Sequence, residues 1–328
     1  MLKASMLLPA LVAALASWAA TVALVRVLPR LGLVDRPNAR SSHSSPVPRG
    51  GGLAVLVGVV AGLLATGFPR DLASSIAVAV LVGLLGLADD RFGLEVRARL
   101  LAQCVLALLA VALVRPQMPT MGLLALLALA LSWVAFVNAM NFMDGINGIS
   151  AAMTIVVSLW FVLVGEGSLE TLAWATAASA FGFLLLNSRG KVFLGDVGSY
   201  ALGSLIWSMT ALALASGTDV VTSFAPMSLY GLETAAAMLL LMRRGGRPGE
   251  PHRLHAYQRW VDSGLPHLGV AFLAAGVLSS MLLIVRWVSE SWIAVILAIL
   301  VGLAYVASPA VRKRPVDGDA VKNNSGKR

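Results

Sequence analysis

The stretch GLLALLALALSWVAFVNAMNFMDGING, residues 122–148, decides the fold. Its first sixteen residues carry no charge, and a helix needs roughly 20 apolar residues to cross the hydrocarbon of a bilayer. Residues 122–140 therefore read as a membrane span. The run then turns polar at a fixed spacing: Asn138, Asn141 and Asp144 recur every three residues and fall on one helical face. Lipid does not tolerate such a stripe, so it faces protein or a wet cavity. Gly145, Asn147 and Gly148 follow, and the two glycines let the backbone turn and present its amides to a ligand. A plainer reading also fits, in which Asn makes helix-to-helix hydrogen bonds and Gly supplies packing notches.

The rest of the 328-residue chain follows the same plan. Hydrophobic residues make up 58% and charged residues 12%, with a mean hydropathy of +0.84, whereas soluble domains run near 45–50% and 25%. A soluble globular enzyme is excluded. Cutting the chain at its polar breaks gives eleven spans, near 6–28, 51–67, 73–88, 99–114, 122–140, 149–164, 172–187, 199–216, 221–242, 266–286 and 291–308. The expected fold is an all-α integral membrane protein, a polytopic bundle of about eleven transmembrane helices. Lys3 precedes the first span and Arg26 and Arg30 follow its core, so it reads as a retained span and not as a cleaved signal peptide. The single cysteine, Cys104, excludes a disulfide framework and a Cys-based metal site.

A net charge of +9 could point to nucleic acid or to an anionic surface. Sorting the cations decides between them, because 20 of the 25 Lys and Arg fall on one side when alternate loops are assigned together. The positive-inside rule then puts the N-terminus outside and the C-terminus in the cytoplasm. No nucleic-acid partner is expected. Residues 1–308 read as one transmembrane catalytic domain, and 309–328 as a basic, disordered cytoplasmic tail that anchors at membrane lipids. Gly-rich faces in spans two and three serve either a homodimer or internal packing.

Three acidic sites lie on the inner side. Asp89 and Asp90 end the third span, where acids oppose the dipole of their own helix, so a plain cap explains them poorly. The polar stripe brings Asp144. Between spans seven and eight, Phe193-Leu-Gly195-Asp196-Val-Gly198-Ser199 opens a helix, with a carboxylate suited to a divalent metal and a ring suited to stacking on a base. Cationic segments alternate with these acids. The first inner loop carries Arg40, His43 and Arg49 before Gly50-Gly51-Gly52, and the longest carries His252-Arg253-Leu-His255. Arg forks match phosphate oxygens, and Arg40, Arg49, Arg99 and Arg253 are placed to meet them. Glu233 stands inside span nine, where an ionisable group is a functional suspect, yet no partner for it is visible in the sequence. His267, which opens span ten, reads as interfacial. Acids that hold a cation, beside cations that hold phosphates, describe phosphoryl transfer with Mg2+ at a membrane.

The motifs, in this order, resemble the polyprenyl-phosphate N-acetylhexosamine-1-phosphate transferases, glycosyltransferase family 4. The likeness rests on Asp89-Asp90, on Asn138-x-x-Asn141-x-x-Asp144-Gly145, on Phe193-Leu-Gly195-Asp196-x-Gly198-Ser199 and on His252-Arg253-x-His255, and it runs from Asp35 to about Arg259. It implies transfer of an N-acetylated sugar 1-phosphate from a UDP-sugar to undecaprenyl phosphate, with release of UMP. It implies Mg2+ as cofactor, with Mn2+ as the alternative, held by Asp196 and Asn141. Asp89 and Asp90 would lie against the lipid phosphate or the metal, one of them as base, and Asp144 would belong to the same catalytic set. Phe193 would stack on uracil beside Gly145 and Asn147, with Asn138, Arg49 and Arg99 as further substrate contacts. His252, Arg253 and His255 would meet the diphosphate or the sugar. Asn147 stands where many relatives have Asp, and the His-Arg-Leu-His run resembles the branch that initiates O-antigen and other surface polysaccharides. A polytopic lipid or ion transporter and a prenyl-lipid phosphatase are the rival readings.

Overall fold

The computed structural model describes residues 4–37, 45–247 and 252–310. Arg40, His43 and the tail from residue 311 onward lie outside the described residues. Thirteen α-helices occur among the described residues. They are α1 Ala4–Val27, α2 Gly52–Ala65, α3 Ala73–Phe92, α4 Val96–Val114, α5 Leu123–Met143, α6 Ile149–Val164, α7 Gly167–Asn187, α8 Gly195–Ala215, α9 Val220–Phe224, α10 Ser228–Arg243, α11 Ala256–Asp262, α12 His267–Trp287 and α13 Ser291–Ala307. Eight helical segments are long and apolar enough to cross a membrane. Three further apolar helices, α2, α6 and α13, are shorter. At 1.5 Å per residue α2 rises only about 21 Å. The protein is a polytopic membrane protein.

The all-α expectation needs one amendment. Val34–Asp35 (β1) and Val47–Pro48 (β2) pair antiparallel, Val34 opposite Pro48 and Asp35 opposite Val47. The same ribbon continues as a parallel bridge from Arg49 to Phe193. Phe193 N donates to Pro48 O at 2.8 Å, and the Gly51 and Gly52 amides donate to Phe193 O and Leu194 O, each at 2.8 Å. This short ribbon ties the segment between α1 and α2 to the start of α8.

Helix α8 is the axis of the bundle. It is buried almost all round, enclosed by α2, α3, α5, α6 and α7, as a helix without a polar face must be. Two tryptophans stitch it reciprocally to α5: Trp133 donates to Ser204 Oγ at 3.3 Å and Trp207 donates to Ser132 Oγ at 2.9 Å. Backbones approach closely where side chains are missing. A Cβ on Gly52 of α2 would lie 2.0 Å from the Gly198 Cα, and one on Gly86 of α3 would lie 2.3 Å from the Asp196 carbonyl oxygen. The inner faces of spans two and three are thus spent on internal packing. Helix α1 is equally integral, since a Cβ on Gly182 of α7 would meet the Ala14 carbonyl oxygen at 2.2 Å. The outward surface stays apolar, with Leu101, Val105 and Leu108 of α4 and Leu123, Leu124 and Leu131 of α5 exposed, as a lipid-facing shell requires.

Candidate active site

The close approach of α3 to α8 places the acid pair at the N-terminus of α8. Asp90 Oδ1 accepts the Asp196 amide at 3.0 Å and Oδ2 accepts the Val197 amide at 3.1 Å. The first amides of a helix have no partner within it, and its dipole favours an anion there. Asp90 is therefore not an acid set against a dipole: it opposes that of α3 but satisfies that of α8. Gly195, at φ +75°, makes room for it, since a Cβ there would lie 2.5 Å from Asp90 Oδ2.

Arg49 closes the arrangement. Its Nε lies 2.6 Å from Asp90 Oδ1 and its NH2 lies 2.9 Å from Asp196 Oδ1. Burial works to lower the guanidinium pKa, but the Asp196 and Asp90 carboxylates outweigh it and raise the value. The Asp90 side chain is 0% exposed while Arg49 keeps 37%, so the cation is reached from outside and the acid is not. Asp89, whose side chain also meets that of Asp196, is held from the α4 side. Its Oδ2 pairs with Arg99 at 2.8 Å and accepts the Tyr200 hydroxyl at 3.2 Å, and its Oδ1 accepts the Leu94 amide at 2.9 Å.

The stripe from α5 supplies the third side. Asn141 Nδ2 donates to Asp196 Oδ1 at 2.8 Å and to Ser199 Oγ at 3.0 Å. Asp144 accepts the Ser150 hydroxyl at 2.7 Å, and burial pushes its carboxyl up to about 7. One connected network therefore joins α3, α4, α5, α8 and the Arg49 ribbon.

The sequence pattern of glycosyl transferase family 4 matches residues 72–216. Over 316 residues the chain is 30% identical to the undecaprenyl-phosphate alpha-N-acetylglucosaminyl 1-phosphate transferase of Pasteurella multocida (strain Pm70), covering 86% of this chain and 88% of that protein. The chain belongs to glycosyl transferase family 4. It is 27% identical over 262 residues to a protein of Bacillus subtilis (strain 168) named a probable undecaprenyl-phosphate N-acetylglucosaminyl 1-phosphate transferase, 74% of this chain and 73% of that one. To the enzyme of Escherichia coli (strain K12) with the same name as the Pasteurella protein, it is 26% identical over 312 residues, 85% and 84% of the two chains.

Not every expected residue of this family 4 chain reaches the acid network. Asn138 Nδ2 donates to Gln103 Oε1 of α4 at 2.6 Å and to Val134 O at 2.8 Å, so its amide is engaged in helix-to-helix bonding. Gly145 stands against α11, where a Cβ would meet the Tyr257 hydroxyl oxygen at 2.2 Å. Its lack of a side chain serves that approach. Asn147 donates its backbone amide to His267 Nδ1 at 3.4 Å, so His267 braces this loop. In the longest inner loop, His255 is 3% exposed and stacks between His252 and Tyr257, with ring centroids at 5.4 and 5.5 Å. Burial, with the His255 ring beside it, holds His252 below the usual histidine value. Arg253 pairs with Asp262 at 3.1 Å.

Tyr200, Ser199 and Asn187 were given no role of their own from the sequence, although Ser199 stands in the motif that opens α8. Tyr200 and Ser199 lie one turn into α8. Asn187, the last residue of α7, accepts the Gly148 amide at 2.8 Å and donates to Val192 O at 2.9 Å, joining two inner loops. A polar residue closing an apolar span was the available signal. Among the described residues no three His, Cys, Asp or Glu side chains are grouped as a metal cage. The donors present are nevertheless all oxygen: the Asp89 and Asp196 carboxylates, with the Asn141 amide, which here gives its NH2 to Asp196 and Ser199 and would present its oxygen to a metal after a flip. Hard divalent cations take such ligands and keep several waters of their own. This donor set fits Mg2+.

Proposed function

We propose that this protein transfers an N-acetylated sugar 1-phosphate from a UDP-sugar to undecaprenyl phosphate, releasing UMP and leaving an undecaprenyl-diphosphate sugar. The observation that carries the reading is the convergence of Asp89, Asn141 and Asp196 with Arg49 and Arg99 in one network at one end of the bundle. Acids and fixed cations side by side suit a diphosphate and a divalent ion together. The names of relatives aligned along most of the chain support the same reaction.

Asp196, Asn141 and Asp89 would hold Mg2+, which when bound supplies charge that shields the diphosphate oxygens. Arg49, partly exposed, meets a phosphate from the donor side, and Arg99 does so beside Asp89. Phe193, its backbone fixed by the Arg49 bridge, stacks on the uracil, with Asn147 at the base edge. Asp90, with both oxygens engaged, orients α8 and Arg49 and does not take a proton from substrate. Little proton removal is needed, because a phosphate monoester has a second pKa of about 6 and is mostly dianionic near pH 7. Positioning and charge account for the acceleration.

The apolar helices account for eleven crossings, with the N-terminus outside and this network at the cytoplasmic face of a bacterial inner membrane. Residues 1–308 form the catalytic unit. The product begins a surface polysaccharide such as O-antigen. Purified protein incubated with undecaprenyl phosphate, Mg2+ and a panel of UDP-N-acetylated sugars is expected to release UMP with at least one donor, and that donor identifies the sugar. Release from none of them by folded protein overturns the proposal.

A further inference from the structure

Glu233 is an acid within a span that the reaction does not use, and its side chain is 0% exposed. A carboxylate in that position is costly unless its oxygens are engaged. Both are engaged: Oε2 accepts the Ala256 amide at 2.9 Å and Oε1 accepts the Tyr257 amide at 3.3 Å. These are the first two amides of α11, so a residue of α10 holds the start of the helix that follows His252-Arg253-Leu254-His255. His255 Nδ1 lies 3.7 Å from Oε2. From the other side, the Tyr257 hydroxyl donates to Phe142 O at 2.8 Å, and Phe142 lies between Asn141 and Asp144 on α5. The His255 ring, stacked on Tyr257, carries the half-buried His252 ring on its far face.

From this geometry we infer that Glu233 is a positioning residue that fixes the two-histidine loop against the end of α5, and so sets where the His252 ring meets the substrate. The inference rests on the transferase reading for its kinetic consequence, but not for the anchoring itself. Glu233→Gln keeps the size of the side chain and replaces one acceptor by a donor that faces an amide donor. In the full-length protein the amides of residues 255–260 are expected to exchange with solvent at least tenfold faster in Glu233→Gln than in wild type, with α3 and α8 unchanged. The kcat for UMP release falls at least tenfold, while the KM for the UDP-sugar stays within threefold. In a His252→Ala background, Glu233→Gln adds less than a twofold further loss, because the carboxylate acts through that loop.

A second variant guards against misfolding. Ala256→Pro removes the bonded amide, and proline is well accepted at the first position of a helix, so the same loss of kcat is expected. Equal amide exchange in wild type and Glu233→Gln overturns the anchor whatever the reaction. A wild-type rate in Glu233→Gln or Ala256→Pro overturns the positioning role, as does a full multiplicative loss in the double variant. Failure of wild-type protein to release UMP overturns the transferase reading alone, and the exchange measurement still decides the anchor.

Discussion

Two helix starts in this protein are held by buried carboxylates from other helices, and they are built differently. Asp90 of α3 holds the first amides of α8, and Glu233 of α10 holds those of α11. At α8 an arginine sits against the acid at 2.6 Å, whereas at α11 the nearest basic atom shown is a histidine nitrogen at 3.7 Å. Burial does not explain the difference, since both side chains are fully covered. Crowding does. Asp90 lies beside Asp196 at a site that gathers acids, and like charges there need a permanent cation, which Arg49 supplies. Glu233 has no second acid bonded into its anchor, and two amides serve it, with the Arg259 guanidinium of α11 acting at longer range.

Breaking the charged anchor has the largest expected effect. Asp90→Ala leaves two buried amides without an acceptor and Arg49 with Asp196 alone, and each orphaned amide costs about 1–3 kcal/mol. Activity is lost and the melting temperature in detergent falls. Because Arg49 also pairs with Asp196, Arg49→Met added to Asp90→Ala is expected to lower the melting temperature further, and a rise would show that Arg49 serves Asp90 alone.

Glycine substitutions sharpen the contrast, because the nominal clashes are alike. Gly86→Ala drives a Cβ to 2.3 Å from a backbone carbonyl of α8; neither helix can yield locally, so the cost is about 1–3 kcal/mol with loss of activity as Asp89 and Asp90 shift. Gly145→Ala drives one to 2.2 Å from the end of the Tyr257 side chain. That ring is buried, stacked on His255 and bonded to Phe142 O, so displacing it also costs about 1–3 kcal/mol, and thermal melts of Gly145→Ala made in Tyr257→Phe protein, which lacks the nearest clashing atom, are expected to show a smaller penalty.

The smallest effect is a slope. With its pKa pushed up to about 7, Asp144 binds its proton more tightly in the folded than in the unfolded chain, where about 3.9 is usual. Its contribution to stability is full below about pH 4 and is lost as pH rises through about 7. Asp144→Asn should flatten the pH dependence of melting across that window, and an unchanged slope would mean the carboxyl is already ionised there.

The spans were legible because lipid selects composition directly. Residues 149–164 were bounded as the helix is found, and each of the other ten spans overlaps an apolar helix. Boundaries failed where polar residues stay helical: α8 begins at Gly195, four residues before hydropathy announces it, because Asp90 satisfies amides that water would otherwise need. Asp89, Asn141 and Asp196 were legible as a group, since each is polar at the end of an apolar run. The partnership of Arg49 with Asp90 was not, nor was that of Glu233 with α11, because each joins residues distant in sequence through packing that no local pattern encodes. The dipole argument for Asp90 failed for the same reason, considering the helix that carries the acid and not the one it meets.

The ribbon at Arg49 also has a bearing on biosynthesis. Arg49 and Asp196 are 147 residues apart, which at about 5–20 residues per second of translation is roughly 7–30 seconds. Arg49 can pair with Asp90 before the α8 amides that Asp90 accepts, and the Asp196 carboxylate to which Arg49 donates, have left the ribosome. Pairing of Asp90 with Arg49 would leave that acid matched while α8 is still to come, so the same contact that organises the finished site would serve first as a travelling escort for a half-made one.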